Sequence, residues 1–310
     1  MQGIIETVLP IFALVLCGYA LGRRRWMSEE AIKGLANFVF YLAIPALLFR
    51  SLARGLGPVD LTVVLAYFSG VVLSFLLAFA ITRAAFRTHY AEQVLAGMGS
   101  SFSNTVMLGI PLVLTVFGEA GRVPLMLIIT FHSILIIPAV SVLLEIGRGR
   151  GKGWGGMART SLASIFANPV ILALLAGTAW GMTGWSLPTP AERFIELLSG
   201  AATPCALFAL GASLTGFKIA GDLKETMVVV LLKLFAHPAI VAVFAWFVLD
   251  LEPGPAAVAI VMAALPAGAN VFILAQHYNT YTARSASAIL ISTGLSVITL
   301  SALIALFQAG

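Results

Sequence analysis

Charge is scarce in this chain, and acidic residues are scarcest where membrane chemistry would need them. Charged residues make up 10% of the sequence and hydrophobic ones 60%, whereas soluble domains run near ~25% charged. That balance excludes a water-soluble globule. Glu6, Glu145 and Glu196 fall near the ends of apolar stretches, and the other carboxylates fall between stretches. A sodium/proton antiporter needs a carboxylate at mid-membrane to bind and release its ion, and none is available. The same gap disfavours an intramembrane aspartyl protease. No His-Glu-x-x-His or Gly-x-Ser-x-Gly pattern occurs, so the sequence suggests no enzyme, no metal site and no cofactor. The two cysteines, Cys17 and Cys205, lie inside separate apolar stretches. They offer neither a disulfide framework nor metal-ligand spacing and read as small packing residues.

What the chain has instead is a series of apolar runs long enough to cross a hydrocarbon core of about 30 Å. Ten are expected, near 4–22, 32–52, 60–82, 92–117, 123–146, 160–182, 192–214, 226–249, 255–277 and 284–308. The first run lacks a charged leader and a clear cleavage site, and it ends in Arg23-Arg24-Arg25. It reads as a retained span, not a signal peptide. Loops after odd-numbered spans carry Arg23, Arg24, Arg25, Lys33, Arg83, Arg87, Arg148, Arg150, Lys152, Arg159, Lys218, Lys224 and Arg284. The opposite loops carry only Arg50, Arg54, Arg122 and Arg193. The positive-inside rule therefore predicts a multi-pass protein of the cytoplasmic membrane with both termini outside. It also explains the net charge of +5 without nucleic acid.

The chain divides near its middle. A Gly-rich basic loop follows Gly147, and its GRGRGKGWGG sequence lacks the Gly-Lys-Ser/Thr ending of a phosphate loop. It reads as a cytoplasmic linker, 148–159, between five-span halves at 1–147 and 160–310. An odd span number inverts the second half relative to the first, the arithmetic of an inverted repeat. Pro45-Ala46-Leu47-Leu48-Phe49 resembles Pro204-Cys205-Ala206-Leu207-Phe208 at matching positions.

The fourth and ninth spans share an interruption. The fourth reads Ser100-Ser101-Phe102-Ser103-Asn104-Thr105 and continues to Gly109-Ile110-Pro111; the ninth reads Leu265-Pro266-Ala267-Gly268-Ala269-Asn270. Broken helices survive in a bilayer only where their freed backbone is buried in protein or lines a wet cavity. Paired breaks at matching positions point to a transporter's binding site. Asn104 and Asn270 are the leading substrate-binding candidates: each is a directional donor at a break whose half-helix N-terminus favours an anion. Both are also suited to capping the breaks. Ser103 and Thr105 fit the same cavity or a bond back to their own helix. Gly109, Pro111, Pro266 and Gly268 are expected to shape the breaks. His132, near the middle of the fifth span, reads as a pathway residue or a packed neutral imidazole. Lys233 and His237 share one face of the eighth span. Lys233 is expected to snorkel to the cytoplasmic end and His237 to satisfy a carbonyl freed by Pro238, with ion coupling the alternative for both.

These residues resemble those of a known family. Ser103-Asn104-Thr105 through Gly109-Ile110-Pro111 resembles the Pro-Asn-Thr-x-x-x-Gly-Ile-Pro signature of auxin efflux carriers, the plant PIN proteins and their prokaryotic relatives. Ala264-Leu265-Pro266 through Tyr278-Asn279 resembles the family's ninth span, and Lys233-Leu234-Phe235-Ala236-His237-Pro238 its eighth. The resemblance covers the whole chain. It implies an all-helical fold of ten spans with crossing fourth and ninth helices. Spans 1, 2, 6 and 7 would form a dimerising scaffold, and spans 3–5 and 8–10 a mobile transport unit. By that resemblance Asn104 and the fifth-span His132 would bind a substrate carboxylate, although plant members carry Gln at the second position. Ser103 and Val271 stand where family members carry crossover prolines. The third span lacks the carboxylate and lysine of the plant carriers' support site. The implied function is efflux of a small organic anion, auxin-like or malonate-like, by an elevator-like movement. The alternatives are a sodium-coupled anion symporter of the bile-acid type and a membrane-embedded carboxylate sensor.

Overall fold

The computed structural model describes residues 2–55, 59–147 and 168–309. The linker expected at 148–159 and the first residues of the sixth run lie outside the described residues. Every described secondary-structure element is helical. The helices are α1 (Gln2–Arg23), α2 (Glu29–Ala53), α3 (Thr62–Phe86), α4 (Tyr90–Ser101), α5 (Ile110–Phe117), α6 (Arg122–Gly147), α7 (Pro169–Thr183), α8 (Thr189–Leu214), α9 (Leu223–Val248), α10 (Pro253–Ala264), α11 (Asn270–His277) and α12 (Thr282–Ala309). Among the described residues six continuous helical runs are both long and apolar enough to cross a membrane. The expected fourth and ninth runs each divide into two shorter helices, α4/α5 and α10/α11.

Prolines shape these helices in a way the sequence did not reveal. Pro45, Pro111 and Pro238 each stand two residues after a π-helical turn: Val39–Ala43, Thr105–Gly109 and Leu232–Ala236. A proline removes one backbone bond and crowds the carbonyl four residues back. Widening the preceding turn relieves that crowding without ending the helix.

The helices sort into two packed groups. In one, α1 lies along α8 and α2 along α7, with α8 also touching α2. The α1–α8 approach is close because Gly211 presents no side chain: a Cβ there would collide with the Val15 carbonyl. In the other group α3 packs on α4, α6 and α9, while α9, α10 and α11 pack around α12. Arg284 at the start of α12 ties this second group together. It reaches Glu92 of α4 at 3.1 Å and the fully buried Glu225 of α9 at 2.6 Å. Many large apolar side chains remain exposed on the helix exteriors, among them Leu9, Leu16, Phe194, Leu197 and Ile298. A continuous apolar exterior of this kind is what a lipid solvent covers.

Candidate functional site

The two interruptions meet each other. Helix α4 ends as Phe102 turns extended (φ −87°, ψ 106°), and α10 ends as Leu265 does the same (φ −58°, ψ 151°). Ser103 then pairs antiparallel with Ala267. The Asn104 N–H donates to the Pro266 carbonyl at 2.9 Å, and the Gly268 N–H to the Phe102 carbonyl at 3.0 Å. Each break thus satisfies backbone groups of the other, as a membrane interior requires. At Ser103 this pairing holds the extended backbone without a proline, whereas Val271 lies inside α11, its N–H donating to the Gly268 carbonyl at 3.2 Å.

Of the four expected break-shaping residues, Pro266 and Gly268 lie within a break. Gly268 allows the two segments to touch, since a Cβ there would stand 2.8 Å from the Phe102 ring and 3.1 Å from the Ser103 carbonyl. Gly109 and Pro111 do not make the first break, which precedes them by a full turn. Gly109 instead lets α5 cross α10, where a Cβ would meet Leu265 at 2.8 Å. Pro111 is accommodated by the π turn before it.

Asn104 occupies an inverse γ-turn (φ −77°, ψ 65°), closed by the Thr105 N–H on the Ser103 carbonyl at 2.9 Å. Its own carbonyl accepts from Gly109 N–H at 3.0 Å. The backbone of Asn104 is therefore fully used, while its side chain makes no capping bond. That side chain faces a cavity of about 350 Å³, whose lining also includes Ser103, Thr105, His132, Asn270 and Gly268. All five substrate-binding candidates from the sequence converge there. The far wall comes from the other helix group, through Asn37, Phe40 and Tyr41 of α2 and Val170 of α7.

At the starts of the two half-helices the N–H groups of Thr105, Val271, Phe272 and Ile273 donate to nearby carbonyls, whereas no carbonyl accepts from those of Val106, Met107 or Asn270, residues that also line the cavity. The helix dipole favours an anion there, with backbone N–H groups and side chains both placed to donate. Two polar residues that the sequence reading passed over, Asn37 and Asn168, also line the cavity. Their signal was an amide inside or beside an apolar run. Asn168 is partly committed, since its side chain caps α7 by accepting from Val170 N–H at 2.9 Å.

Behind the cavity lies a buried polar cluster. His132 packs against Phe102 (ring centroids 4.3 Å apart) and Tyr67 (5.9 Å), and Tyr67 also contacts His237 (5.6 Å). The Tyr67 and Ser103 hydroxyls adjoin without forming a well-aligned hydrogen bond, and the Nε2 atoms of both histidines are buried without a partner. Lys233 does not snorkel. It is fully buried, with Nζ donating to the Ala263 carbonyl at 2.6 Å and standing 3.2 Å from His237 Nδ1. The reason is that α10 ends beside it and leaves that carbonyl without its helical partner. His237 accordingly engages Lys233 and not a carbonyl freed by Pro238. Ser101 bonds back to its own helix at Gly97, 2.9 Å away. Among the described residues no group of acidic, histidine and cysteine side chains could hold a metal ion.

Residues 3–153 and 156–304 match the family described as "Membrane transport protein". A Rhizobium meliloti protein described as "Putative malonate transporter" is 32% identical over 314 residues, covering 100% of this chain and 98% of that protein. An "Uncharacterized transporter" of Methanothermobacter thermautotrophicus is 28% identical over 306 residues, covering 96% of this chain and 97% of that one. "Auxin efflux carrier component 8" of Arabidopsis thaliana is 24% identical over 333 residues, covering 90% of each. With the match running nearly from end to end, the chain belongs to the membrane transport protein family that includes auxin efflux carriers, a family of transporters and not of enzymes.

Proposed function

We propose that the protein is a secondary carrier for a small organic anion, a malonate-like dicarboxylate or an auxin-like monocarboxylate, most simply an efflux carrier. The observation that carries this reading is the paired break. Two interrupted helices are stitched together at one cavity that presents the Asn104 and Asn270 amides, a histidine and hydroxyls, with no carboxylate among the described residues of its lining. Amide and imidazole donors hold a carboxylate without the desolvation cost of a fixed charge. Similarity to the Rhizobium protein supports the dicarboxylate half of the substrate class.

In this reading the chain crosses the cytoplasmic membrane ten times as two inverted five-span repeats, with both termini outside. The α1, α2, α7 and α8 group is the scaffold and the site of homodimerisation. The remaining helices form the transport unit, which Arg284 helps hold rigid. The cavity sits where the two groups face each other, so sliding one past the other changes which side it opens to. Its wall uses the early part of α2 and the start of α7, both on the expected cytoplasmic side, which corresponds to an inward-facing state. Lys233 and His237 are the coupling candidates, in mutual contact directly behind His132.

Uptake and counterflow in proteoliposomes test the reading, using a panel of mono- and dicarboxylates with and without sodium and a pH gradient. Saturable carboxylate flux that ignores sodium is the expected result. Flux that requires sodium moves the protein to the bile-acid-type symporters, and specific binding without flux makes it a sensor.

A further inference from the structure

A second cavity lies along the same seam between the helix groups. It has a volume of about 370 Å³ and is lined by Arg50 and Ser51 of α2, Arg54 just beyond its end, Leu114 of α5, Glu119 in the following turn and Arg122 of α6. Along α2 the first cavity uses Asn37, Phe40 and Tyr41, and this one Leu47 to Ser51 with Arg54 beyond. At 1.5 Å per helical residue the two are about 15–20 Å apart. Between them Ile44 and Leu48 of α2 and Ile110 and Val113 of α5 are buried, leaving an apolar closure.

Each arginine has an acidic neighbour, but Arg50 and Arg122 each keep a nitrogen without a well-aligned partner. Arg50 gives one nitrogen to Glu196 Oε1 at 2.8 Å, while its Nε is buried without a partner. Arg54 stands 3.8 Å from Glu192. Arg122 donates to the Ser51 carbonyl and lies 3.0 Å from Glu119 without a well-aligned bond. In the Arg50 and Arg122 pairs the guanidinium is the more buried partner: Arg122 is 17% exposed against 79% for Glu119, and Arg50 24% against 41% for Glu196. A solvated carboxylate holds such a pair weakly, and a guanidinium carries five donors in a fork that fits a carboxylate. These three, with Arg193, are also all the basic residues expected on the outer face, and Arg193 too meets Glu196, at 3.0 Å. The positive-inside rule disfavours arginine there, so its concentration around one cavity calls for a local cause.

We infer that this cavity is a second anion site at the outer end of the transport path, where Arg50, Arg54 and Arg122 receive the substrate carboxylate as it leaves the crossover. The inference rests on the carrier reading above. The acidic partners keep the site near neutrality, so the anion is accepted briefly by displacing a glutamate and is not trapped.

The test is modification by a membrane-impermeant arginine-directed glyoxal in right-side-out and inside-out vesicles, read residue by residue by mass spectrometry. Malonate is the competitor and neutral malonamide the control. Arg54 should react from the outer face, and malonate filling the cavity should slow its labelling about tenfold by mass action, with malonamide inert. Arg193, outside the lining, should label without protection. The protection should persist in Asn104→Ala. Absent protection, equal protection by malonamide, labelling confined to the opposite face, or protection lost in Asn104→Ala would each overturn the second site. Failure of the crossover reading shows separately, as wild-type carboxylate flux in Asn104→Ala with Arg54 protection intact.

Discussion

Ser74 and Lys233 close the two helix breaks in the same manner. Where α4 ends, the Ser74 hydroxyl donates to the Ser100 carbonyl at 3.1 Å; where α10 ends, the Lys233 Nζ donates to the Ala263 carbonyl at 2.6 Å. In each case the N–H that would have continued the helix is diverted, Asn104 to Pro266 and Ala267 to the Ser292 hydroxyl. The interval from Ser74 to Lys233 also equals that from Pro45 to Pro204, the pair that first suggested internal symmetry. A hydroxyl and an amine thus serve one structural need at corresponding places.

Lys233→Met keeps the side chain's length but leaves the Ala263 carbonyl without a donor. A buried unsatisfied polar group costs about 1–3 kcal/mol, so a lowered unfolding temperature in detergent is expected. Ser74→Ala likewise leaves the Ser100 carbonyl without its side-chain donor and should also cost about 1–3 kcal/mol. Unchanged stability in both variants would dismiss the capping role.

Asn104→Ala removes the amide facing the cavity without touching the backbone pairing. A hydrogen bond to a charged group is worth about 1.5–3 kcal/mol, so carboxylate affinity should fall by about 10-fold to more than 100-fold. The unfolding temperature should stay near that of the wild type. Calorimetric binding beside a thermal melt separates these effects.

His132→Gln should preserve folding and saturable binding. Glutamine keeps donors and an acceptor at the cavity edge, and His132 Nε2 has no partner to lose. Complete loss of binding in a normally folded variant would tie function to the imidazole itself.

Arg284→Met leaves Glu225 buried without its counter-charge and should destabilise the fold by about 3 kcal/mol. Adding Glu225→Gln should restore much of that loss. A double-mutant cycle on thermal stability gives the coupling, and additive effects would show the pair to be independent.

The helices were legible from hydropathy because lipid-facing and buried surfaces are both apolar, so runs stand out whatever they pack against. The convergence of Asn104, His132 and Asn270 was legible too, since a polar residue in a broken run has few other places to go. The burial of Lys233 was not legible. Position along α9 suggested an escape to the surface, and only the three-dimensional placement of α10 shows a carbonyl waiting beside it. The role of Pro111 was misread for a related reason. Proline signals local distortion, but whether that distortion ends a helix or widens one turn depends on whether the neighbouring backbone finds partners elsewhere. The arginine cavity was hidden because Arg122 lies far along the chain from Arg50 and Arg54 and only folding brings the three together.

The Ser103–Ala267 pairing is made entirely of main-chain groups. Any residue can supply an N–H or a carbonyl, proline's missing N–H aside, so beyond the close approach that Gly268 allows the pairing itself asks little of the side chains around it. Architecture and selectivity are thereby uncoupled. Substitutions that resize the cavity or change its donors can accumulate while the crossing stays in place, giving one scaffold a route from one carboxylate to another without passing through an unfolded ancestor.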